Sequence, residues 1–178
     1  MNAGRILYRT RQFWQALGAA LTPEDRALVR AVLTPAQMEL FDRLQPSEKA
    51  HSLRVVRSLL DQGEEHPDLL VAALLHDVGK SRFPLSLWQR VLIVLVNAVF
   101  PGFARRLGSG TGGEWRRPFI IAEKHAQWGA EMASAAGASP LAVALIRRHQ
   151  EEIGEPKGHG LSLEGHLLLK LQSVDDNS

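Results

Sequence analysis

The stretch LLVAALLHDVGK (Leu69–Lys80) joins two features that seldom sit side by side. Its first seven residues are all apolar, and Leu70, Ala73 and Leu74 recur at the three- and four-residue spacing of a helical stripe facing a core. An imidazole and a carboxylate follow at once, His76 and Asp77, and then Gly79, a residue expected at the C-terminal cap of a helix. A carboxylate on a buried stripe is costly unless something positive or strongly hydrogen-bonding meets it. The end of this apolar helix therefore calls for a cation.

Outward from that stretch the punctuation is helical throughout. Thr22-Pro23-Glu24-Asp25 and Thr34-Pro35-Ala36-Gln37 each place a capping hydroxyl, a proline at the first helical position and an acceptor at the third. His66-Pro67 and Ser139-Pro140 repeat the proline-first pattern, and Ser47 is expected as a further cap. Between these marks lie apolar stripes such as Val55, Leu59 and Leu60, then Leu141, Leu145 and Ile146, then Leu167, Leu168, Leu171 and Val174. No run alternates with period two beyond a few residues, so the expected fold is all-α, a single-domain helical bundle of seven to nine helices. The 178 residues suit one domain. Residues 1–45 are expected to form helices packed on a core spanning 46–178.

Composition removes several classes of chemistry. With no cysteine, a disulfide framework, a thiolate metal site and a cysteine nucleophile are excluded, so any metal must be held by nitrogen and oxygen. A net charge of +2 and 6% aromatic residues give no case for nucleic-acid binding. Met1–Ala20 lacks the apolar core of a secretory signal, and Val91–Val96, the longest unbroken apolar run in Leu85–Phe103, is far short of the ~20 residues of a spanning helix. A soluble, cytoplasmic protein is expected. No Gly-x-Ser-x-Gly occurs, so a serine triad has no support.

Of the seven histidines, four fall into a regular series with two aspartates: His51, His76-Asp77, His125, His149 and Asp175. The intervals of 25, 24 and 26 residues from His51 to His76, His125 to His149 and His149 to Asp175 each match one helix and one connection. His51 lies one turn before Val55, His125 one turn after Ile121, His149 one turn after Leu145 and Asp175 one turn after Leu171, so all border apolar faces. Bundles build metal sites from inward side chains on facing helices in this way. A lone core-facing histidine is more often a satisfied donor than a ligand; six such residues in series favour a metal. Four imidazoles and two carboxylates suit Mn, Fe, Co, Ni or Zn, with Mg admissible. They also exceed what one tetrahedral ion uses, and a carboxylate such as Asp77 can bridge two ions about 3.5–4 Å apart. Asp175 is preferred to Asp176 because Leu168 and Leu171 stand seven and four residues before it. His166, nine residues from Asp175, falls on the opposite side of its helix, and His66 and His159 are expected in solvent.

HSLRVVRSLL, LLVAALLHDVGK, EKHAQWGAEMA, ALIRRHQEE and LLKLQSVDD, in that order between Ser47 and Asp176, resemble the signatures of the HD-domain superfamily of metal-dependent phosphohydrolases. The later histidines are similar to the H…HD…H…H…D subset, which often holds two metals. The resemblance implies that His51, His76, Asp77 and Asp175 bind a first ion and that His125 and His149 complete a second, with Asp77 bridging. It implies that Lys80 faces a phosphate, and that the activity is hydrolysis of a phosphate ester or anhydride, with a small phosphorylated molecule such as a nucleotide as substrate. Asp77 and Lys80 are the expected catalytic residues, acting with a metal-activated water, and Lys80 and Arg82 the substrate-binding ones. The alternative is a non-catalytic metal-binding sensor or regulatory module of the same fold.

Residues 81–124 depart from the compact members of that superfamily. Segment 80–124 holds eight Lys or Arg against two Glu, a sharper surplus than the +2 of the whole chain. Three readings stand open: an ordinary buried helix with solvated flanks, a lid or homodimer face lending arginines to an anionic substrate, and an interfacial helix at Leu85–Phe103 touching anionic lipid. The glycine-rich Gly108–Gly113 lacks the lysine of a phosphate-binding loop and is expected to be a connector, and Glu155–Gly160 a polar turn.

Overall fold

The computed structural model describes residues 21–83, 96, 117–151 and 161–177. Almost all of Leu85–Phe103, together with Met1–Ala20, Gly108–Gly113, Glu155–Gly160 and His159, lies outside the described residues. Among those described there are seven α-helices and no strand: α1 Pro23–Val32, α2 Pro35–Asp42, α3 Pro46–Asp61, α4 Pro67–Leu75, α5 Arg117–Ala135, α6 Pro140–Arg148 and α7 Leu163–Asp175. A 3-10 helix, Val78–Arg82, follows α4. None of the described helices is long and apolar enough to cross a membrane.

The helix starts follow from their caps. Thr22 Oγ1 accepts from the Asp25 backbone at 3.1 Å while Asp25 Oδ2 accepts from Thr22 N at 2.8 Å. Thr34 and Gln37 repeat the exchange at 3.4 and 3.1 Å. The cap of α3 differs from expectation: it is Gln45, not Ser47, and its backbone N–H donates to Glu48 Oε2 at 2.9 Å. Pro46 explains the shift. A proline suits the first helical position and holds the residue before it extended, so the boundary falls one residue ahead of Pro46.

The centre of the bundle is α4. Leu69, Ala72, Ala73, Leu74 and Leu75 have no exposed surface, as expected of a helix that is apolar on every side. It packs against α3, α6 and α7, and also against α1 and α2. The last two bring Val29, Leu33, Leu40 and Phe41 into the same core. The C-terminal end of α4 therefore opens into the middle of the molecule, and that end carries His76 and Asp77.

The role expected of Gly79 also changes. The helix ends at His76, and Gly63 and Gly137, not Gly79, are the glycines with positive φ among the described residues. A Cβ on Gly79 would stand 2.0 Å from the His125 carbonyl oxygen and 2.7 Å from Gly129 N. The glycine is there because the backbones of the 3-10 helix and α5 touch, which brings Asp77 up to His125.

Candidate metal centre

Each of the six residues in the series comes from the place its helix assigns it. His51 lies in the second turn of α3 and His125 in the body of α5. His76 caps the end of α4, His149 caps the end of α6, and Asp175 is the last residue of α7. Three helices thus point their C-terminal ends at one region, where the negative ends of their dipoles favour a cation.

The side chains meet. Ring centroids stand 5.3 Å apart for His51 and His76, 5.2 Å for His76 and His149, and 5.2 Å for His125 and His149. Asp77 lies between the rings, with Oδ1 3.3 Å from His125 Nε2 and Oδ2 3.7 Å from His76 Nε2. Asp175 Oδ1 accepts from His51 Nε2 at 2.7 Å and stands 3.4 Å from His76 Nε2. Two groups able to hold an ion result, His51-His76-Asp77 and Asp77-His125-His149, in each of which one ligand atom per residue lies within 4.8 Å of the others. Asp77 belongs to both.

The rings are oriented by their own helices. His76 Nδ1 donates to Ala73 O at 3.0 Å, His149 Nδ1 to Ile146 O at 2.7 Å, and His125 Nδ1 to Ala122 O at 2.9 Å and Ile121 O at 3.0 Å. A carbonyl can only accept, so Nδ1 carries the proton in all three, and in the neutral ring Nε2 is left as a bare donor to metal. Nε2 of His76 and of His125 is buried with no hydrogen-bond partner. Such orphaned atoms are rare in a folded protein and want an explanation. A divalent ion supplies one, and the donor set fits it.

Burial and neighbouring charges act on four of these groups. Burial pushes the pKa of His149 down from 6.5 to about 3, with repulsion from His76 and His125 adding to the effect; it is neutral at physiological pH. Burial opposes ionisation of Asp77, but Lys80, His76 and His125 outweigh it and hold the carboxyl well below its ordinary value. Burial likewise opposes ionisation of Asp175, where the hydrogen bond from His51 and the electrostatic attraction of His76 prevail and depress its pKa. For His76 burial favours the neutral ring, but Asp77 and Asp175 raise the pKa overall.

Lys80 joins the cluster: its Nζ donates to Asp77 Oδ2 at 2.6 Å, and a third of its side chain is exposed. Arg82 stacks on two rings, its guanidinium 5.4 Å over Trp128 and 5.9 Å over Phe83, which themselves meet edge-on at 5.4 Å. Asp176 and His166 are exposed. His66 is not free in solvent as expected; it is half-buried at the start of α4, with Nδ1 enclosed and unpartnered. One contributor carried no sequence signal beyond its place one turn before Asp175: Gln172, whose amide reaches the chain around His149.

A family model described as HD domain matches residues 49–172, which takes in His51, His76, Asp77, His125 and His149. No curated protein and no solved structure matches the chain.

Proposed function

The chain belongs to the HD-domain family, and on that premise we propose that it is a metal-dependent phosphohydrolase cleaving a phosphate ester or anhydride of a small molecule, a nucleotide being the substrate class. The observation that carries the proposal is the pair of potential ion-binding groups sharing Asp77, two of whose imidazole nitrogens are buried without hydrogen-bond partners. In this reading His51, His76, Asp77 and Asp175 hold one ion, and His125 and His149 hold the other with Asp77. Ions bound there would supply Lewis acidity toward phosphoryl oxygens and would lower the pKa of water enough to provide a hydroxide nucleophile near neutral pH.

The remaining work belongs to the chain. The Nδ1 bonds to Ala73, Ile121, Ala122 and Ile146 carbonyls hold the rings in one tautomer and direction, so no reorganisation is needed when substrate arrives. Lys80, partly exposed at the edge of the cluster, places its ammonium where charge develops on the phosphoryl oxygens. Burial of Asp77 and its neighbours keeps competing water away and strengthens these interactions.

Metal content per chain tests the proposal, followed by phosphate release from a panel of nucleotides and an aryl phosphate with manganese. Two ions per wild-type chain, falling sharply in Asp77→Ala with loss of turnover, is the expected result. A chain that stays metal-free in excess manganese, cobalt and zinc overturns the proposal. Full occupancy with no turnover on any phosphate makes the protein a metal-binding regulatory module instead.

A further inference from the structure

The last carbonyls of a helix have no partners within it. At the end of α6 the following residues are His149, Gln150 and Glu151, none of them the glycine that would turn the chain back and satisfy those groups. The Arg148 carbonyl accepts from Glu151 N at 2.8 Å. The Ile146 carbonyl accepts from His149 Nδ1, and two carbonyls just past the helix are met from another helix. Gln172 Nε2, on α7, donates to His149 O at 3.0 Å and Glu151 O at 2.7 Å, which uses both of its hydrogens, and it stands 3.5 Å from Arg148 O. A second tie lies at the other end of α7, where Arg148 pairs with Glu164 while also bonding Glu151 at 2.7 Å.

His149 has two ways to misplace its Nε2: its ring can rotate, or its backbone can shift. The bond from Nδ1 to Ile146 O stops the first. Gln172 stops the second, because its amide grips the carbonyl of His149 itself. It stands one helical turn before Asp175, so α7 carries both the carboxylate at one side of the cluster and the clamp on the imidazole at the other. We infer that Gln172 is a positioning residue for His149, setting the affinity of the Asp77-His125-His149 group for its ion. This inference rests on the two-ion reading above.

The 178-residue chain, stripped of metal and titrated with manganese by calorimetry, tests it in Gln172→Leu and Gln172→Glu, both of which abolish the donors. The first ion is expected to bind as in wild type and the second to weaken about 10–100-fold, the usual effect of losing an outer-shell partner. Val29→Ala, a core truncation in α1, serves as the control for lowered stability alone. A second ion bound as tightly as in wild type, or both ions weakened together as in Val29→Ala, overturns the inference. Amide hydrogen exchange of the metal-free proteins gives a readout independent of metal uptake: protection over Ile146–Glu151 should fall in both Gln172 variants and hold in Val29→Ala. Unchanged protection overturns the clamp even if manganese binds, whereas a wild type that takes up no manganese, cobalt or zinc overturns the proposed function.

Discussion

At the scale of the residue, burial and neighbouring charges move four groups of the cluster off their ordinary pKa values. His149 is the clearest case. Its folded pKa of about 3 lies below the ordinary 6.5, so between those values the unfolded chain binds a proton that the folded chain refuses. Its contribution to stability is full above 6.5 and declines as the pH falls toward 3. Asp175, with a depressed pKa, adds stability that is present above the ordinary carboxylate value and lost as the pH drops through its folded value. His76 runs the other way: its raised pKa contributes stability below 6.5 that disappears as the pH rises through the folded value. In urea unfolding of the metal-free protein between pH 7 and 5, His149→Gln should therefore flatten the loss of stability on acidification, by at most about 1.4 kcal/mol per pH unit. Identical slopes in the two proteins would remove the argument.

At the scale of the element, what matters is where helices stop and how closely they approach. The 3-10 helix after α4 presses its backbone on α5 through Gly79, with no room for a methyl group beside the His125 carbonyl. Gly79→Ala should destabilise by about 3 kcal/mol or more, since backbone on both sides must give way, and should lower metal uptake because Asp77 and His125 are pushed apart. Thr34→Ala offers the contrast. It removes one cap at the start of α2, a helix that contributes no residue to the cluster, and should cost about 1 kcal/mol with metal content unchanged. Chemical denaturation and metal analysis of both variants check the pair of outcomes.

At the scale of the molecule, the six residues lie on or at the ends of five helices that meet only after the bundle has closed around α4. The unfolded chain holds them as far as 124 residues apart, as for His51 and Asp175. Ions that bind the assembled cluster and not the open chain must stabilise the fold, by about 2.7 kcal/mol at a metal concentration one hundred times the dissociation constant. Manganese should raise the melting temperature, a chelator should reverse the gain, and Asp77→Ala should abolish it. A wild-type melting curve indifferent to manganese would count against a site formed by folding.

The sequence by itself determined the helical class and the caps at Thr22, Thr34 and Ser139. It also determined which histidines and aspartates border apolar faces, because periodicity and capping act between residues a few positions apart. It singled out Asp175 over Asp176 and set His166 aside for the same reason. Tertiary structure alone decided that the six side chains converge, that Gly79 is required by backbone contact with α5 and not by a helix cap, and that Arg82 rests on Phe83 and Trp128. Gln172 belongs with these: a long polar side chain on a helix has no periodic signature, and its partner lies on α6, 23 residues away. The division follows from the range of the forces. Local patterning dictates which face of a helix turns inward, whereas the groups that meet across the interior are chosen by the packing of whole elements, which no short stretch of sequence contains.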